Sequence, residues 1–284
     1  MANNRPPRVM ILADGTRAEM REAVLRLQPV IERHLPVAGV SLDFSSELIG
    51  LDADLAIVIG GDGSILRAAH QMGYHQRPVL GVNLGRLGFL AALQPEQLDQ
   101  VLPEIAAGRH QVVEHLMFEC AAFHEGKTVC QALGLNETSV LAGPLFTMVD
   151  IQLYVDGELV TTYSCDGLIV STPVGSTAHC LSAGGPILRN SLDALVILPI
   201  SPHTLTLRPV VESAQRVIEL VVPKPNEGTA LLADGRVLCT LQAGDRVRIV
   251  RSKARFQSVE VSGQGYYRAL HDKLGWGGQI RKTK

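Results

Sequence analysis

The sequence has 284 residues, of which 46% are hydrophobic and 4% aromatic, and its formal net charge is −2. This length allows one large domain or two medium-sized ones. The near-even charge balance excludes the basic face of a nucleic-acid-binding protein, and the apolar runs are too short for a secretory signal or a membrane span. We therefore predict a cytoplasmic protein without nucleic-acid or membrane partners.

The first ninety residues or so predict alternating strands and helices. An apolar stripe from Met20 to Leu35 predicts a helix, with a kink or break at Pro29. A second helix is expected to run to about Met72, with Ser64 as its cap. Four short apolar runs predict buried strands: Arg8–Ala13, Val37–Phe44, Leu55–Ile59 and Pro78–Val82. This rhythm predicts a parallel, Rossmann-like sheet.

The rest of the chain predicts a different architecture. A helix is expected from about Pro95 to Ala107. Apolar and polar residues then alternate on either side of Asp156-Gly157, which predicts a two-residue hairpin turn. Further strands are predicted at Val217–Val222, Ala230–Leu232 and Val247–Val250. We predict an α/β domain over residues 1–93 and a β-rich, sandwich-like domain over residues 94–260.

Cysteines and histidines give no sign of a metal site. The five cysteines are odd in number and include no C-x-x-C pair, so we predict reduced core thiols and no disulfide. The histidines lack metal-ligand spacing. The basic segment Arg248–Arg255 is interpreted as the solvated face of a strand.

The loop IVIGGDGS, Ile57–Ser64, combines three glycines with one carboxylate. Glycines after a buried strand let backbone N–H groups approach a phosphate. Asp62 beside such phosphates could hold Mg²⁺ or accept a proton from an attacking hydroxyl. The alternative is an ordinary strand-to-helix turn that Asp62 caps.

Two further segments present polar groups. LNETSV, at 135–140, offers the amide of Asn136 and the carboxyl of Glu137, which suit ribose hydroxyls; alone, it also fits a solvated strand end. Cys165–Ile187 contains two loops rich in hydroxyls and glycines, which suit a polar ligand. The alternative for this segment is a turn-rich connection between β-layers.

Together these motifs resemble the NAD kinase family, in which a GGDG loop, an Asn-Glu or Asn-Asp pair and a long D-G-L-x-x-S-T-P run follow in this order. GGDG alone is shared with phosphofructokinases and diacylglycerol kinases, whereas the long run is more specific. Further similar segments extend the resemblance from about residue 8 to 277: GVNLGRLGFL at 81–90, SPHTLTLRPVV at 201–211, ADGR at 233–236 and LGWG at 274–277.

The resemblance implies an N-terminal α/β domain, a C-terminal β-sandwich, and a tail over residues 261–284 that returns to the first domain. It implies phosphorylation of NAD(H) to NADP(H) with ATP or polyphosphate and a divalent metal, Mg²⁺ or Mn²⁺. Asp62 would be the general base on the adenosine ribose 2′-hydroxyl, and no residue is assigned as a metal ligand. Residues implied to bind the nucleotides are Gly63, Asn136, Glu137, Asp166, Thr177, Ala178, His179, Cys180, Leu181 and Ser182. The resemblance also implies a homodimer or homotetramer in which one protomer can complete its neighbour's site.

The sequence departs from the family pattern at several positions. Ser64 replaces a threonine, Val174 a hydroxyl residue and His179 a tyrosine. Ser164 stands where many bacterial members carry a cation, and Arg236, which could contact phosphate, replaces a glutamine. These changes leave open the choice between NAD⁺ and NADH and between ATP and polyphosphate.

Two alternative functions remain open. One is a kinase of the same superfamily with a lipid or sugar-phosphate acceptor. The other is a non-catalytic NAD(P) sensor, although a sensor has no need of Asp62.

Overall fold

A computed structural model describes residues 5–44, 52–85, 88–91, 93–143, 148–204, 206–260 and 266–275. The chain divides into two compact units. Unit 1 contains residues up to Glu114 and those from Phe256 onward, and unit 2 contains His115–Arg255. Unit 1 therefore extends past the predicted boundary at residue 93.

Unit 1 is built on a parallel sheet with the strand order β2-β1-β3-β4. Its strands are β1 (Val9–Ala13), β2 (Val37–Ser41), β3 (Leu55–Ile59) and β4 (Val79–Val82). Its first helices are α1 (Ala18–Glu32), α2 (Asp62–Met72) and α3 (Leu98–Ala106), the last preceded by a 3₁₀ turn at Pro95–Gln97. β1 and β3 are buried at every residue, as expected for parallel strands covered on both faces. The predicted α/β fold of this region is confirmed.

Two details bear on the helix predictions; a kink at Pro29, the alternative to a break, stays a prediction. α1 continues past Pro29 without a break, because the buried Leu27 and Ile31 on either side anchor it in the core of unit 1. α2 begins at Asp62, with Gly61 as its N-cap. The prediction that Ser64 caps this helix is therefore wrong, since Ser64 lies in its first turn.

Unit 2 is β-rich. Its strands are β5 (Gln111–His124), β6 (Lys127–Gly134), β7 (Glu137–Leu141), β8 (Val149–Val155), β9 (Glu158–Cys165), β10 (Gly167–Ser171), β11 (Ala194–Ile200), β12 (Val210–Ser213), β13 (Ile218–Val221), β14 (Ala230–Ala233), β15 (Arg236–Thr240) and β16 (Arg246–Glu260). A 3₁₀ turn at Gly175–Thr177 and the short helix α4 (His179–Ser182) follow β10.

The strands of unit 2 form two antiparallel layers. One has the order β12-β11-β10-β7-β14-β15, and the other contains the run β16-β13-β8-β9. Their buried apolar side chains share one core, to which Ile151 and Ile249 contribute from one layer and Leu168 and Leu231 from the other. The predicted sandwich-like architecture is confirmed. The Asp156-Gly157 hairpin is also confirmed, with φ of +50° and +83° at its two turn residues.

The chain passes from unit 2 back into unit 1 within β16. Ser258 pairs with Val79 of β4, and Val259 joins the apolar core of unit 1. The helix α5 (Tyr266–Leu274) then completes the described part of this unit. Half of the LGWG segment, Trp276 and the glycine after it, lies outside the described residues.

The cysteine prediction is wrong for one pair. Cys130 of β6 and Cys239 of β15 form a disulfide, because their strands belong to different sheets that contact each other here, although the two cysteines are far apart in sequence. Cys120, Cys165 and Cys180 are free and buried, as predicted. Across the described ranges, no helix combines the length and apolarity needed to cross a membrane.

Candidate functional site

Asp62 stands at the start of α2, directly after the buried strand β3 and the glycine pair. The turn requires glycine at position 60, where φ is +144° and a Cβ would lie 2.3 Å from Oγ of Ser64. At Gly61 and Gly63 a Cβ would meet no atom within 4 Å. The two residues that flank Asp62 in the sequence therefore have open space around them.

The backbone of a neighbouring loop holds the Asp62 carboxylate. Oδ2 accepts a hydrogen bond from the N–H of Phe89 at 2.8 Å, and Oδ1 accepts from Leu90 at 3.0 Å and Ala91 at 2.9 Å. Gly88 makes this approach possible because it has no side chain: a Cβ at this position would lie 2.0 Å from Oδ1. A carboxylate has about four lone-pair sites, so these three bonds leave room for about one more.

A cation from the C-terminal helix faces the remaining side of this carboxylate. Nζ of Lys273 lies 3.7 Å from Oδ2 of Asp62 and 4.1 Å from the centre of the Phe89 ring. The Asp62 and Lys273 side chains are 33% and 24% exposed, so a ligand could reach the pair. Asp62 is thus a fixed, partly accessible carboxylate at a helix N-terminus, beside a glycine loop. Sequence reasoning missed Lys273, because no local pattern links a lysine in the last helix to this loop.

In unit 2, Asp234 fixes the backbone of the Asn-Glu pair. Its carboxylate accepts hydrogen bonds from the N–H groups of Leu135, Asn136 and Glu137 at 2.8, 2.7 and 3.1 Å. In return, the N–H of Asp234 donates to the Glu137 carbonyl at 2.8 Å. Asp234 lies in the tight turn between β14 and β15, with φ of +46°. The Asp-Gly dipeptide could have predicted this turn, but not which backbone it contacts.

Glu137 is an acid in a place that disfavours its charge. It is 6% exposed, and its Oε2 is buried without a hydrogen-bond partner. Burial, followed by the negative charge of Asp234, raises its pKa to about 8. At neutral pH the side chain is therefore mainly a neutral acid that can donate a hydrogen bond. The half-exposed Asn136 side chain makes no hydrogen bond within the described ranges, so its amide can bind a ligand.

The long motif begins against this pair. The Thr172 hydroxyl donates to the Leu135 carbonyl at 2.6 Å, and the Thr172 N–H donates to the Asn136 carbonyl at 2.9 Å. Gly175 lies so close that a Cβ would be 2.1 Å from the Asn136 carbonyl oxygen. The Thr177 hydroxyl donates within its own turn, to the Val174 carbonyl at 3.0 Å. The loop that leads into the run 177–182 is thereby packed against the Asn-Glu pair.

Members of that run differ in exposure. His179 and Ser182 are exposed, and Ala178 and Leu181 are half-buried. Cys180 is fully buried in an apolar cluster, where burial raises its pKa to about 11, so its side chain is not available to a ligand.

The structure does not bring Asp166 to the same place within one chain. Ser171, at one end of β10, pairs with Glu137, whereas Gly167, at the other end, pairs with Leu141. Asp166 precedes Gly167 and is therefore about 16 Å from Ser171 along the strand. Arg236, in contrast, begins β15 two residues after Asp234, and it is exposed.

The described residues do not form a preformed metal site. Nowhere in these ranges do three histidine, cysteine, aspartate or glutamate side chains converge as ligands. Both Asp62 oxygens already accept N–H bonds. Within the described ranges, a divalent ion therefore has no ready-made set of protein ligands.

Two family models match most of the chain. The ATP-NAD kinase N-terminal domain matches residues 14–110, and the ATP-NAD kinase C-terminal domain matches residues 135–261. The NAD kinase of Rhodopirellula baltica is 50% identical over 97% of this chain and 89% of its own length. The NAD kinase of Geobacter metallireducens is 40% identical over 89% of each chain.

Solved structures share the fold. Yeast NADH kinase, solved with NADH, aligns with a TM-score of 0.87 at 23% identity, covering 99% of this chain and 91% of its own. An NAD kinase from Archaeoglobus fulgidus, solved with ATP, aligns with a TM-score of 0.74 at 28% identity, covering 94% and 98%.

Proposed function

The chain belongs to the NAD kinase family, and we propose that it transfers a phosphoryl group from ATP to the adenosine ribose 2′-hydroxyl of NAD(H), giving NADP(H). The observation that carries the proposal is the Asp62 carboxylate, held by three N–H groups beside an open glycine loop. The ATP complex of the Archaeoglobus relative supports ATP as the donor.

Asp62 is the proposed proton acceptor. The ribose oxygen attacks the γ-phosphorus of ATP as its proton passes to the carboxylate, the new oxygen–phosphorus bond forms, and the bond to ADP breaks. The N–H groups of Phe89, Leu90 and Ala91 keep the carboxylate oriented during this transfer. Catalysis by phosphoryl-transfer enzymes depends largely on such positioning.

The glycine loop and the N-terminus of α2 are the proposed phosphate-binding elements. Helix N-termini present unpaired N–H groups to anions, and the open space at Gly63 leaves room for a phosphate there. Arg236 adds an exposed cation at the β14–β15 turn, which we assign to a phosphate of the dinucleotide.

Asn136 and Glu137 are the proposed anchors of the nucleotide. The Asn136 amide can both donate and accept, and the neutral Glu137 acid can donate to a ribose or amide oxygen. In this proposal the nucleotide also contacts Thr177, Ala178, His179, Leu181 and Ser182. The buried Cys180 contributes only its backbone.

A divalent ion would enter with the ATP phosphates. Mg²⁺ usually keeps several waters and takes substrate phosphates plus one or two carboxylates, so a preformed protein cage is not required. Bound there, the ion would offset negative charge on the phosphates. We assign this chain no metal ligand.

We also propose that the protein acts as a homodimer or homotetramer. Asp166 lies at the far end of β10 from Glu137, and its side chain makes no hydrogen bond or ion pair within the described ranges. In an oligomer, Asp166 of one protomer could reach the nucleotide site of its neighbour. This would explain why the resemblance assigns Asp166 to that site. A cytoplasmic location stays a prediction.

The Asp62→Asn variant tests the mechanism. Loss of the base should lower kcat roughly 10²- to 10⁴-fold while the affinity for NAD⁺ changes little. The measurements are NADP⁺ formation from NAD⁺ and ATP, and NAD⁺ binding by calorimetry. Asp99→Asn, which removes one exposed partner of Arg33, is the control and should keep full activity.

Activity close to that of the unchanged protein in Asp62→Asn would contradict the role of Asp62 as base. Absence of NADP(H) formation by the unchanged protein, with either ATP or polyphosphate and from either NAD⁺ or NADH, would contradict the proposed reaction itself. The same assay decides which donor and which redox form are preferred.

A further inference from the structure

Three cations lie on one face of β16. In this strand Ser252 and Ala254 are 2% and 8% exposed, so their side chains lie on a covered side of the strand. Because side chains alternate along a strand, Arg251, Lys253 and Arg255 point to the opposite side. The sequence had suggested a simple solvated strand face for this basic segment.

These cations line a cavity of about 310 Å³ rather than a flat surface. Its other wall is the turn Ala214–Val217 before β13, which adds Arg216. The volume is at the lower end of those that bind small ligands. None of the lining residues belongs to the candidate site around Asp62 or Asn136.

The positive charge of this wall is only partly neutralised. Arg251 donates to Asp193, and Nη2 of Arg255 lies 3.9 Å from the other oxygen of the same carboxylate. Asp193 also accepts from Gln215 at 2.6 Å. One carboxylate therefore serves two guanidinium groups, and Arg255, at 21% side-chain exposure, is poorly hydrated as well.

The remaining cations differ from each other. Arg216 is paired with Asp156 at 2.7 Å and also feels the charge of Glu212, which together raise its pKa. Lys253 is exposed and has no ion-pair partner within the described ranges. Along β16, three cations thus face one carboxylate, which leaves an excess of two positive charges.

We propose that this cavity binds a small anion carrying two or more linked phosphate groups, free or as part of a nucleotide. The β16 cations extend over about 13 Å, which matches a short chain of phosphates better than one phosphate ion. Guanidinium groups bind phosphate oxygens through paired hydrogen bonds. The site is additional to the proposed catalytic function and does not depend on it.

Protection of Lys253 from chemical labelling tests the site directly. Full-length protein is treated with an amine-reactive acylating reagent at low ionic strength, and labelling of individual lysines is quantified by mass spectrometry. Tripolyphosphate should slow labelling of Lys253 about fivefold or more, because its amine becomes paired. Lys224, an exposed lysine of unit 2 that does not line the cavity, is the internal control and should label at an unchanged rate.

Calorimetry with tripolyphosphate gives a second, independent readout. Lys253→Glu should weaken binding at this site about tenfold or more, whereas Arg248→Glu, the same charge reversal on the same strand outside the cavity, should not. Both positions are exposed, so we expect both variants to fold, and NADP⁺ formation checks this. ATP in place of tripolyphosphate shows whether a nucleotide is accepted.

Three outcomes would overturn the proposal. The first is unchanged Lys253 labelling at saturating tripolyphosphate and ATP. The second is equal protection by orthophosphate, which would exclude a requirement for linked phosphates. The third is protection that appears only as the protein concentration rises, which would assign the cavity to contact between copies of the chain.

Discussion

Glu137 illustrates how a single residue depends on its immediate surroundings. Its raised pKa means that the folded protein prefers the protonated acid, whereas the unfolded chain ionises at the ordinary value of about 4.5. The stabilising contribution is therefore fully present below about pH 4.5 and is lost as the pH rises towards about 8. Retaining this acid costs stability at neutral pH, which is consistent with a functional role.

Substitution of Glu137 separates hydrogen bonding from ionisation. Glu137→Gln also donates a hydrogen bond, so we expect kcat/KM at neutral pH within about fivefold of the unchanged protein, against a loss of about thirtyfold for Glu137→Ala. In the unchanged protein activity should fall as the pH rises through about 8, and in Glu137→Gln this fall should be absent. The measurement is the pH profile of NADP⁺ formation. An alkaline fall of equal size in Glu137→Gln would contradict the assignment.

Asp234→Asn tests whether the Asp234 carboxylate positions the Asn136–Glu137 pair and raises the pKa of Glu137. The amide offers fewer acceptor atoms to the N–H groups of Leu135, Asn136 and Glu137, so KM for NAD⁺ should rise. It also removes the negative charge that helps to raise the pKa of Glu137, so the fall in activity at alkaline pH should move to lower pH. Asp156→Asn is a matched control, because Asp156 has a similar φ in another Asp-Gly hairpin and accepts from Val217. The control should leave the pH profile unchanged. A merely structural role for Asp234 would lower stability without moving that profile.

At the scale of elements, β3 and α2 with the loop between them act as one unit. The apolar strand fixes where the loop begins, and the helix start fixes where Asp62 points. Each glycine around the carboxylate then has its own role: position 60 forms the turn, position 63 leaves space, and position 88 admits the carboxylate.

Two alanine substitutions distinguish these roles. Gly88→Ala places a Cβ 2.0 Å from Oδ1 of Asp62, so both activity and thermal stability should fall. The Cβ of Gly63→Ala meets no atom, so the melting temperature should not fall, while KM for ATP rises about tenfold if the phosphates lie there. The measurements are thermal unfolding and steady-state kinetics. An unchanged KM in Gly63→Ala would place the phosphates elsewhere.

Local patterns were enough to predict the short elements. β3 follows from five consecutive apolar residues, and the Asp156-Gly157 turn from its dipeptide. The full length of β16 was not predicted, because its alternation of buried and exposed residues shifts by one position. Odd-numbered residues are buried at Val247 and Ile249, and even-numbered ones at Ser252 and Ala254.

Contacts between distant segments were also beyond sequence reasoning. The motifs identified Asp62, Asn136 and Glu137 as candidates, but not the partners that hold them. Lys273 and Asp234 are remote in sequence from the groups they contact, and the contact between β6 and β15 cannot be predicted from one sequence.

At the scale of the whole molecule, the Cys130–Cys239 disulfide closes a loop of 109 residues within unit 2. Cross-links of this span restrict the unfolded chain, so reduction should lower the free energy of unfolding by about 2–4 kcal/mol. Urea unfolding with and without a reducing agent measures this difference. The double variant Cys130→Ser, Cys239→Ser should match the reduced protein and lose its response to the agent. In Cys165→Ala, which removes a free buried thiol, the response should persist.

The return of the chain to unit 1 has a consequence for the order of synthesis. Ribosomes make the parallel strands, the glycine loop and Asp62 early, but β16 and α5 come last. Until then Val79 of β4 lacks its partner Ser258, and Asp62 lacks the cation of Lys273. A chain released early therefore carries Asp62 in an incomplete sheet. The contact between Lys273 and this carboxylate forms only after α5 has been synthesised.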